Sequence, residues 1–354
     1  MTNDSMSILD GKKVLITGGT GSLGHALTQR ILNSDVEQIR ILSRNEFKQV
    51  SMESLIRDER LRFLIGDVRD KERLVRALED VDIVFHAAAL KHVPKVEYNP
   101  FEAIKTNVQG SQNVIDACIE NDVERAVCIG TDKAVSPLNI YGATKLLMEK
   151  LFITARRYSN PKKHRTKFFA VRYGNVFGSS GSVVPKFIQQ INKNEKITIT
   201  DPNMTRFSIT MNQALDFILK ATKNGHGSEI FIPKVKAYSL QQIVDILSNL
   251  TKTKEHTIIG IRPGEKQHES LINSDEMRYA WSYENMFMLL NELHDDKNLE
   301  KIYPGIKKVK DLDVYSSDKA ESLTMDEFWF VPTRPPVFQF PDTLPGLLPF
   351  RVVE

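Results

Sequence analysis

Residues 13–24, KVLITGGTGSLG, constrain the fold of this chain more than any other stretch. A short β-branched run passes directly into Gly18, Gly21 and Gly24, spaced three apart, and an amphipathic pattern follows in LGHALTQRILN. A nearly continuous apolar run of this length fits a strand buried on both faces, as in a parallel sheet covered by helices. Glycines at that spacing let backbone approach a pyrophosphate or a neighbouring strand, and the helix N-terminus then faces the anion. Plain tight turns use glycine too, so the pattern gains its weight from closing the first strand of a βαβ series. It predicts a dinucleotide site lined by Gly18, Thr20, Gly21, Ser22, Leu23 and Gly24.

The series continues. IRILSR (39–44), RFLIGD (62–67), VDIVFHAAA (81–89), RAVCIG (125–130) and FFAVRYGN (168–175) read as further buried strands. Helix-like segments separate them, among them ERLVRALED and the long FEAIKTNVQGSQNVIDACIEN. This rhythm predicts an α/β fold: a Rossmann-type doubly wound parallel sheet over residues 1–176, with a smaller C-terminal α/β substrate domain over 177–327. Residues 211–234 are expected to pack back on the first domain. The stretch 328–354 carries six prolines among many aromatic and aliphatic residues. Prolines exclude a regular helix or central strand there; an arm on a neighbouring subunit, a mobile tail and an artefact all remain open.

A formal charge of +3 over 354 residues, with no concentrated basic block, argues against a nucleic-acid partner. No apolar run approaches the roughly 20 residues that span a bilayer, and MTNDSMSILDGKK lacks the character of a signal peptide. The reading is a cytoplasmic enzyme with no membrane partner, acting on a small molecule. Cys118 and Cys128 fall on apolar faces and are expected to be packed, reduced thiols; no metal site is expected.

The end of the second strand separates the two nicotinamide cofactors. An acid there would bond the ribose hydroxyls of NAD; this chain has Ser43, Arg44 and Asn45, then Glu46, Phe47 and Lys48. A hydroxyl, a guanidinium and an ammonium suit a 2′-phosphate, so NADP is expected in spite of Glu46. Asp67 and Val68 close the third strand, with Asp67 facing the adenine amino group. Ala87, in the alanine run after the fourth strand, lets the cofactor lie against backbone. Lys91 follows, and Val176 is assigned to the cofactor side of the same cleft.

One further stretch, TDKAVSPLNIYGATK (131–145), carries chemistry. Taken alone, Asp132 and Lys133 read as solvated turn residues. Tyr141 and Lys145, four apart on a helix, share a face. A nearby ammonium lowers a phenol from its ordinary ~10, which would ready Tyr141 to take a hydroxyl proton, and Thr131 can bond that same hydroxyl. This is equipment for alcohol oxidation by hydride transfer.

With these residues the chain resembles the extended short-chain dehydrogenase/reductase superfamily. More narrowly, GGTGSLG, SRNEFKQ, GDVRD, HAAALKHVPKVEYNPFEAIKTN, TDKAVSPLNIYGATK, VRYGNVFGSSGSVVP, ITDPNMTRF and IRPGEKQHE resemble the inverting UDP-N-acetylglucosamine 4,6-dehydratases, which begin pseudaminic acid synthesis. The resemblance spans roughly residues 8–327. It departs at Gly130, where the family usually has serine, and at the SSG of 179–181, which replaces Ser-Arg-Gly.

The resemblance implies oxidation at C4 of the sugar, elimination of water across C5–C6 and hydride return to C6, with inversion at C5. It implies Lys133 as the C5 base, Asp132 as the acid at O6, and Tyr141, Lys145 and Thr131 for the C4 step. UDP-N-acetylglucosamine would rest on Lys91, Asn175, Thr200, Arg206, Arg262 and Glu265, and a homo-oligomer is expected. For a lysine to act as a base its pKa must fall toward neutrality, a shift assigned here to Lys145 and the oxidised nicotinamide. A sugar-nucleotide 4-epimerase would share all but the Asp132–Lys133 pair. A dehydratase that retains C5 is a nearer rival, and a non-catalytic NADP(H)-binding redox sensor could dispense with the intact tyrosine–lysine pair.

Overall fold

The computed structural model describes residues 5–160, 162–177, 183–193, 195–251, 256–290, 298–324 and 327–328. The SSG stretch and the proline-rich segment 329–354 lie outside them.

Six strands, β1 (Lys13–Thr17), β2 (Gln38–Ser43), β3 (Leu61–Ile65), β4 (Ile83–His86), β5 (Arg125–Ile129) and β6 (Lys167–Val171), pair in parallel in the order 3-2-1-4-5-6. The order reverses at β1, so a cleft opens beyond the carboxyl ends of β1 and β4. Alternate residues feed opposite faces. Val14 and Ile16 pack into one core cluster and Leu15 into the other; Val127 and Ile129 divide from Ala126 and Cys128 in the same way. That division accounts for strands that read as unbroken apolar runs. Cys118 and Cys128 are buried free thiols, and burial pushes the Cys128 thiol up to about 12.

The sheet continues past β6. The strand Glu229–Pro233 adds in parallel, and Met286–Leu290, Ala280–Tyr283 and Lys307–Lys308 follow antiparallel, making ten strands among the described residues. Residues after 177 thus divide between this sheet and a smaller lobe. The helix Met211–Asn224 is started by a Thr210–Gln213 capping box. It is tied to helix α1 (Ser22–Ile31) through Arg30, which bonds Asp216 and, at 3.1 Å, Asn212.

The smaller lobe has its own core of Phe187, Ile197, Ile199, Met204, Tyr238 and Leu240 with their neighbours. Asn175–Val176, Thr205–Ile209 and Ala237–Ser239 form a three-stranded sheet in it.

Two elements differ from expectation. The chain over 168–175 is not one strand: β6 stops at Val171, and Asn175–Val176 joins the smaller lobe. The break falls at Arg172, whose fully buried guanidinium bonds Glu149 at 2.8 Å, Glu276 at 2.9 Å and the Leu271 carbonyl at 2.9 Å. The helix expected after Phe101 also contains a π-helical stretch, Ile104–Gln109. There the buried Asn107 side chain bonds the Leu90 N–H at 2.7 Å, the Leu90 carbonyl at 3.0 Å and Thr144 Oγ1 at 3.0 Å. A widened turn of this kind is frequent near functional sites. Here it clamps the loop after β4 to the helix Ile140–Tyr158, which carries the tyrosine and lysine.

Candidate active site

The glycine loop is held by backbone. Gly18 sits at φ +67°, and a Cβ on it would lie 2.8 Å from the Ala88 Cα, so the loop rests directly on the exit of β4. Gly24 comes closer still: a Cβ there would lie 2.5 Å from the Gly19 Cα. Gly21 is the N-cap of α1 and brings no side chain to cap it, and its N–H is spent on the Gly18 carbonyl at 2.9 Å. Ten residues of helix therefore start on a glycine, facing the cleft at the strand ends, and their first-turn N–H groups suit an anion. These features fit a dinucleotide pyrophosphate.

Around the end of β2, several predicted residues have structural work. Asn45 caps α2 (Glu46–Ile56) by accepting the Lys48 N–H at 2.9 Å. Ser43 is buried and accepts from Gln49 Nε2 at 3.0 Å. Arg44 stays half exposed, its guanidinium 3.7 Å from Asp67. Burial pushes the Asp67 carboxyl up, but Arg69 at 2.7 Å and Arg44 hold it lower overall. Phe47 is exposed, and Val68 packs against Gly110.

At the end of β5 the acid and the base meet. Asp132 is fully buried, and its Oδ1 accepts from Thr131 Oγ1 at 2.9 Å and from Lys133 Nζ at 3.1 Å. Lys133 Nζ also donates to Asn175 Oδ1 at 3.0 Å and lies 3.7 Å from Glu269 Oε1. Asp132 Oδ2 and Glu269 Oε2 are buried without a hydrogen-bond partner. Lys133 is thus no solvated turn residue. Tyr141 and Lys145, from the next helix, are buried as well. Lys145 Nζ donates to the Ile129 carbonyl at 2.6 Å and contacts Met148 Sδ at 3.2 Å.

The protonation pattern corrects two expectations. Burial acts to lower Lys133, yet the carboxylates of Asp132 and Glu269 outweigh it and hold this amine above the ordinary lysine value. Burial raises the Tyr141 phenol; the nearest help in the other direction comes from Lys133 and a hydrogen bond with Thr131, not from Lys145. Lys145 is itself lowered by burial.

The predicted substrate residues divide. Asn175 reaches Lys133 directly. Arg206 donates to the carbonyls of Thr205, Lys266 and Gln267, bracing that segment from behind. Thr200 bonds Met204 Sδ. Arg262 is half exposed, 3.6 Å from Glu265, and Asn139, the N-cap of the tyrosine helix, ties their loop down by bonding the Gly264 carbonyl at 2.8 Å. Lys91 is exposed beside the clamp formed by Asn107.

Sequence reasoning missed Lys266, Glu269, Asn107 and Asn139. The first two stand in the same IRPGEKQHE stretch that supplied Arg262 and Glu265, but nothing in the stretch itself marks them off from solvated charges.

A family model described as polysaccharide biosynthesis protein matches residues 14–291. The chain belongs to that family. Its architecture is that of the short-chain dehydrogenases/reductases. It is 46% identical over 318 residues to a UDP-N-acetylglucosamine 4,6-dehydratase (inverting) of Campylobacter jejuni, covering 88% of this chain and 94% of the relative. A UDP-glucose 4-epimerase of Rickettsia conorii is 41% identical, covering 89% and 94%. Among solved structures, Pen from Bacillus thuringiensis superimposes with a TM-score of 0.83 at 39% identity, covering 90% of this chain and 96% of that one. Among the described residues no helix is long and apolar enough to cross a membrane.

Proposed function

We propose that this chain is an inverting UDP-N-acetylglucosamine 4,6-dehydratase that uses NADP(H). The contact between Asp132 and Lys133 carries the reading: a fully buried acid and a partly buried amine, 3.1 Å apart, stand beside a tyrosine–lysine pair. The likeness to the Campylobacter jejuni dehydratase supports it. Gly18, Gly21, Gly24 and the first turn of α1 would hold the pyrophosphate, and Arg44 with Lys48 a 2′-phosphate. A nicotinamide held there would supply the redox chemistry, hydride acceptance from C4 and hydride donation to C6, and a positive charge in its oxidised form.

The protein's own residues move the protons. Tyr141 is a neutral phenol at rest, so it must first lose its proton to solvent. The phenolate then takes the proton of the C4 hydroxyl as that carbon becomes a ketone, which acidifies the neighbouring C5–H. Lys133 is charged at rest, so it must first pass a proton to Asp132, its closest carboxylate. A substrate that covers the amine, one quarter exposed in this structure, would make this exchange easier, because an ion pair is costly to keep without water. The exchange yields a neutral amine and a carboxylic acid together. The amine removes the C5 proton; the acid protonates O6, and water leaves. Thr131, bonded to Tyr141 and donating to Asp132, lies between the residue that gains a proton and the one that loses it.

Incubation with UDP-N-acetylglucosamine and mass spectrometry tests the reading. Loss of one water is the expected result. Conversion to an isomer of unchanged mass would support the 4-epimerase instead, the reading favoured by the Rickettsia relatives, but that activity leaves the Asp132–Lys133 pair without a task.

A further inference from the structure

Inversion poses a problem that the Asp132–Lys133 pair does not solve. An amine that has just removed a proton from C5 stands on the face from which it took it, and returning that proton there gives retention. Something must keep the proton on the nitrogen until C5 receives another from the opposite side.

Glu269 is placed to do this. It precedes the strand Ser270–Ile272, 136 residues along the chain from Lys133, and is 4% exposed. Oε1 lies 3.7 Å from Lys133 Nζ; Oε2 has no hydrogen-bond partner and faces Lys266 Nζ at 3.9 Å. The backbone fixes it, since its N–H donates to Ser317 Oγ at 2.9 Å, which in turn contacts Thr205 Oγ1 at 2.7 Å. Lys266 is held by the Val135 carbonyl, and Arg206 grips the carbonyls of Lys266 and Gln267. This is a rigid second carboxylate on the amine, and neither the C4 step nor the protonation of O6 uses it.

Resting on the dehydratase reading, we infer that Glu269 is a positioning residue that makes proton removal from C5 one-way and thereby commits the reaction to inversion. The steps balance. The C5–H bond breaks, its electron pair passes into the C4 ketone as an enolate, and a new N–H bond converts the Lys133 amine to an ammonium. At that moment Asp132 is neutral, so Glu269 supplies the one adjacent negative charge. As O6 departs with the proton of Asp132, that residue becomes a carboxylate again, and the ammonium lies between two anions. A cation so held is a poor acid. Departure of O6 carries the enolate pair into a C5–C6 double bond; once hydride addition at C6 restores the enolate, C5 is protonated from the other face by a solvent-derived proton.

The test is isotopic, because a merely structural role would slow turnover without changing where the hydrogen goes. UDP-N-acetylglucosamine deuterated at C5 is turned over in ordinary water by the full-length protein and by Glu269→Gln, and fresh products are read by NMR. The parent is expected to give inverted product with protium at C5. In Glu269→Gln the ratio of C5-retained, deuterium-bearing sugar to inverted product should rise on the order of tenfold, the equivalent of about one pKa unit at Lys133. Glu269→Asp, which keeps the charge, should fall between the two, and it serves as the test if the glutamine variant does not fold. An unchanged isotope and stereochemical ratio in a variant that still dehydrates overturns the inference while leaving the dehydratase reading intact. Absence of water loss in the parent overturns that reading itself.

Discussion

The glycine loop and the acid–base floor serve one cleft, yet they are built by opposite means. The loop is twelve consecutive residues fixed by backbone: Gly18 N–H on the Leu42 carbonyl at 2.8 Å, Gly21 N–H on Gly18, and Gly24 pressed to Gly19. The floor is assembled from side chains at 131–133, 141–145, 175 and 266–269. It is secured at a distance by Asn107, Asn139, Arg206 and the Arg172–Glu149–Glu276 ion group. A binding surface for a phosphate needs only donors and close approach. A site that exchanges protons needs charges in a set number and order, and no short segment can supply both carboxylates and both lysines.

Changes to the floor should be the most severe for chemistry. Lys133→Ala removes the proposed base, and the rate of water loss should fall by roughly 10²–10⁴-fold, with C5 deuterium exchange lost and cofactor binding kept. Normal exchange in this variant would refute the assignment. Next in size is Glu149→Leu, which strips one partner from a fully buried guanidinium and should destabilise the fold by about 3–5 kcal/mol in urea unfolding. An effect near zero would show that Glu276 alone suffices to hold Arg172.

The loop should respond differently. Gly24→Ala forces a methyl into the Gly19 backbone and should cost about 1–3 kcal/mol of stability. Cofactor affinity should drop with it, measured by titration, while residual turnover keeps its pH profile. Arg44→Ala, at the exposed rim, should weaken NADP about tenfold, near 1.4 kcal/mol, and leave NAD unchanged. Equal affinity for the two cofactors both before and after the change would remove the NADP reading.

The smallest effect is one of pH. Burial pushes Glu276 up, but its ion pair and hydrogen bonds with Arg172 hold it below the ordinary glutamate value of about 4.3. Its stabilising contribution is therefore complete above that value and is lost as pH falls through the depressed one. The stability gap between the parent and Glu276→Gln should be present at pH 7 and close on acidification below about pH 4.

What the sequence disclosed follows the same division. Periodicity and glycine spacing revealed β1 through β6 and the phosphate loop, because each is decided by neighbours within a dozen residues. Tyr141 and Lys145 were visible as a helical pair, and Asp132 with Lys133 as an oddity in a turn. Glu269 and Lys266 were not assigned, since nothing local distinguishes them from solvated charges; only the folding of 266–269 against Lys133 buries the acid and brings the lysine alongside it. The lowered pKa expected for Lys133 is opposed first by the carboxylate of Asp132 next to it in the chain, and then by a second carboxylate, Glu269, that arrives from far along the chain. Ser43 shows the converse, a hydroxyl whose type suited a phosphate while the fold engages it with Gln49.

The account is tested most directly by a crystal structure with UDP-N-acetylglucosamine and the nicotinamide cofactor both bound. It predicts Lys133 Nζ about 3–3.5 Å from C5 of the hexose, with Asp132 toward O6 and Glu269 still against the amine. An amine turned to bulk water, with C5 out of its reach, would contradict it.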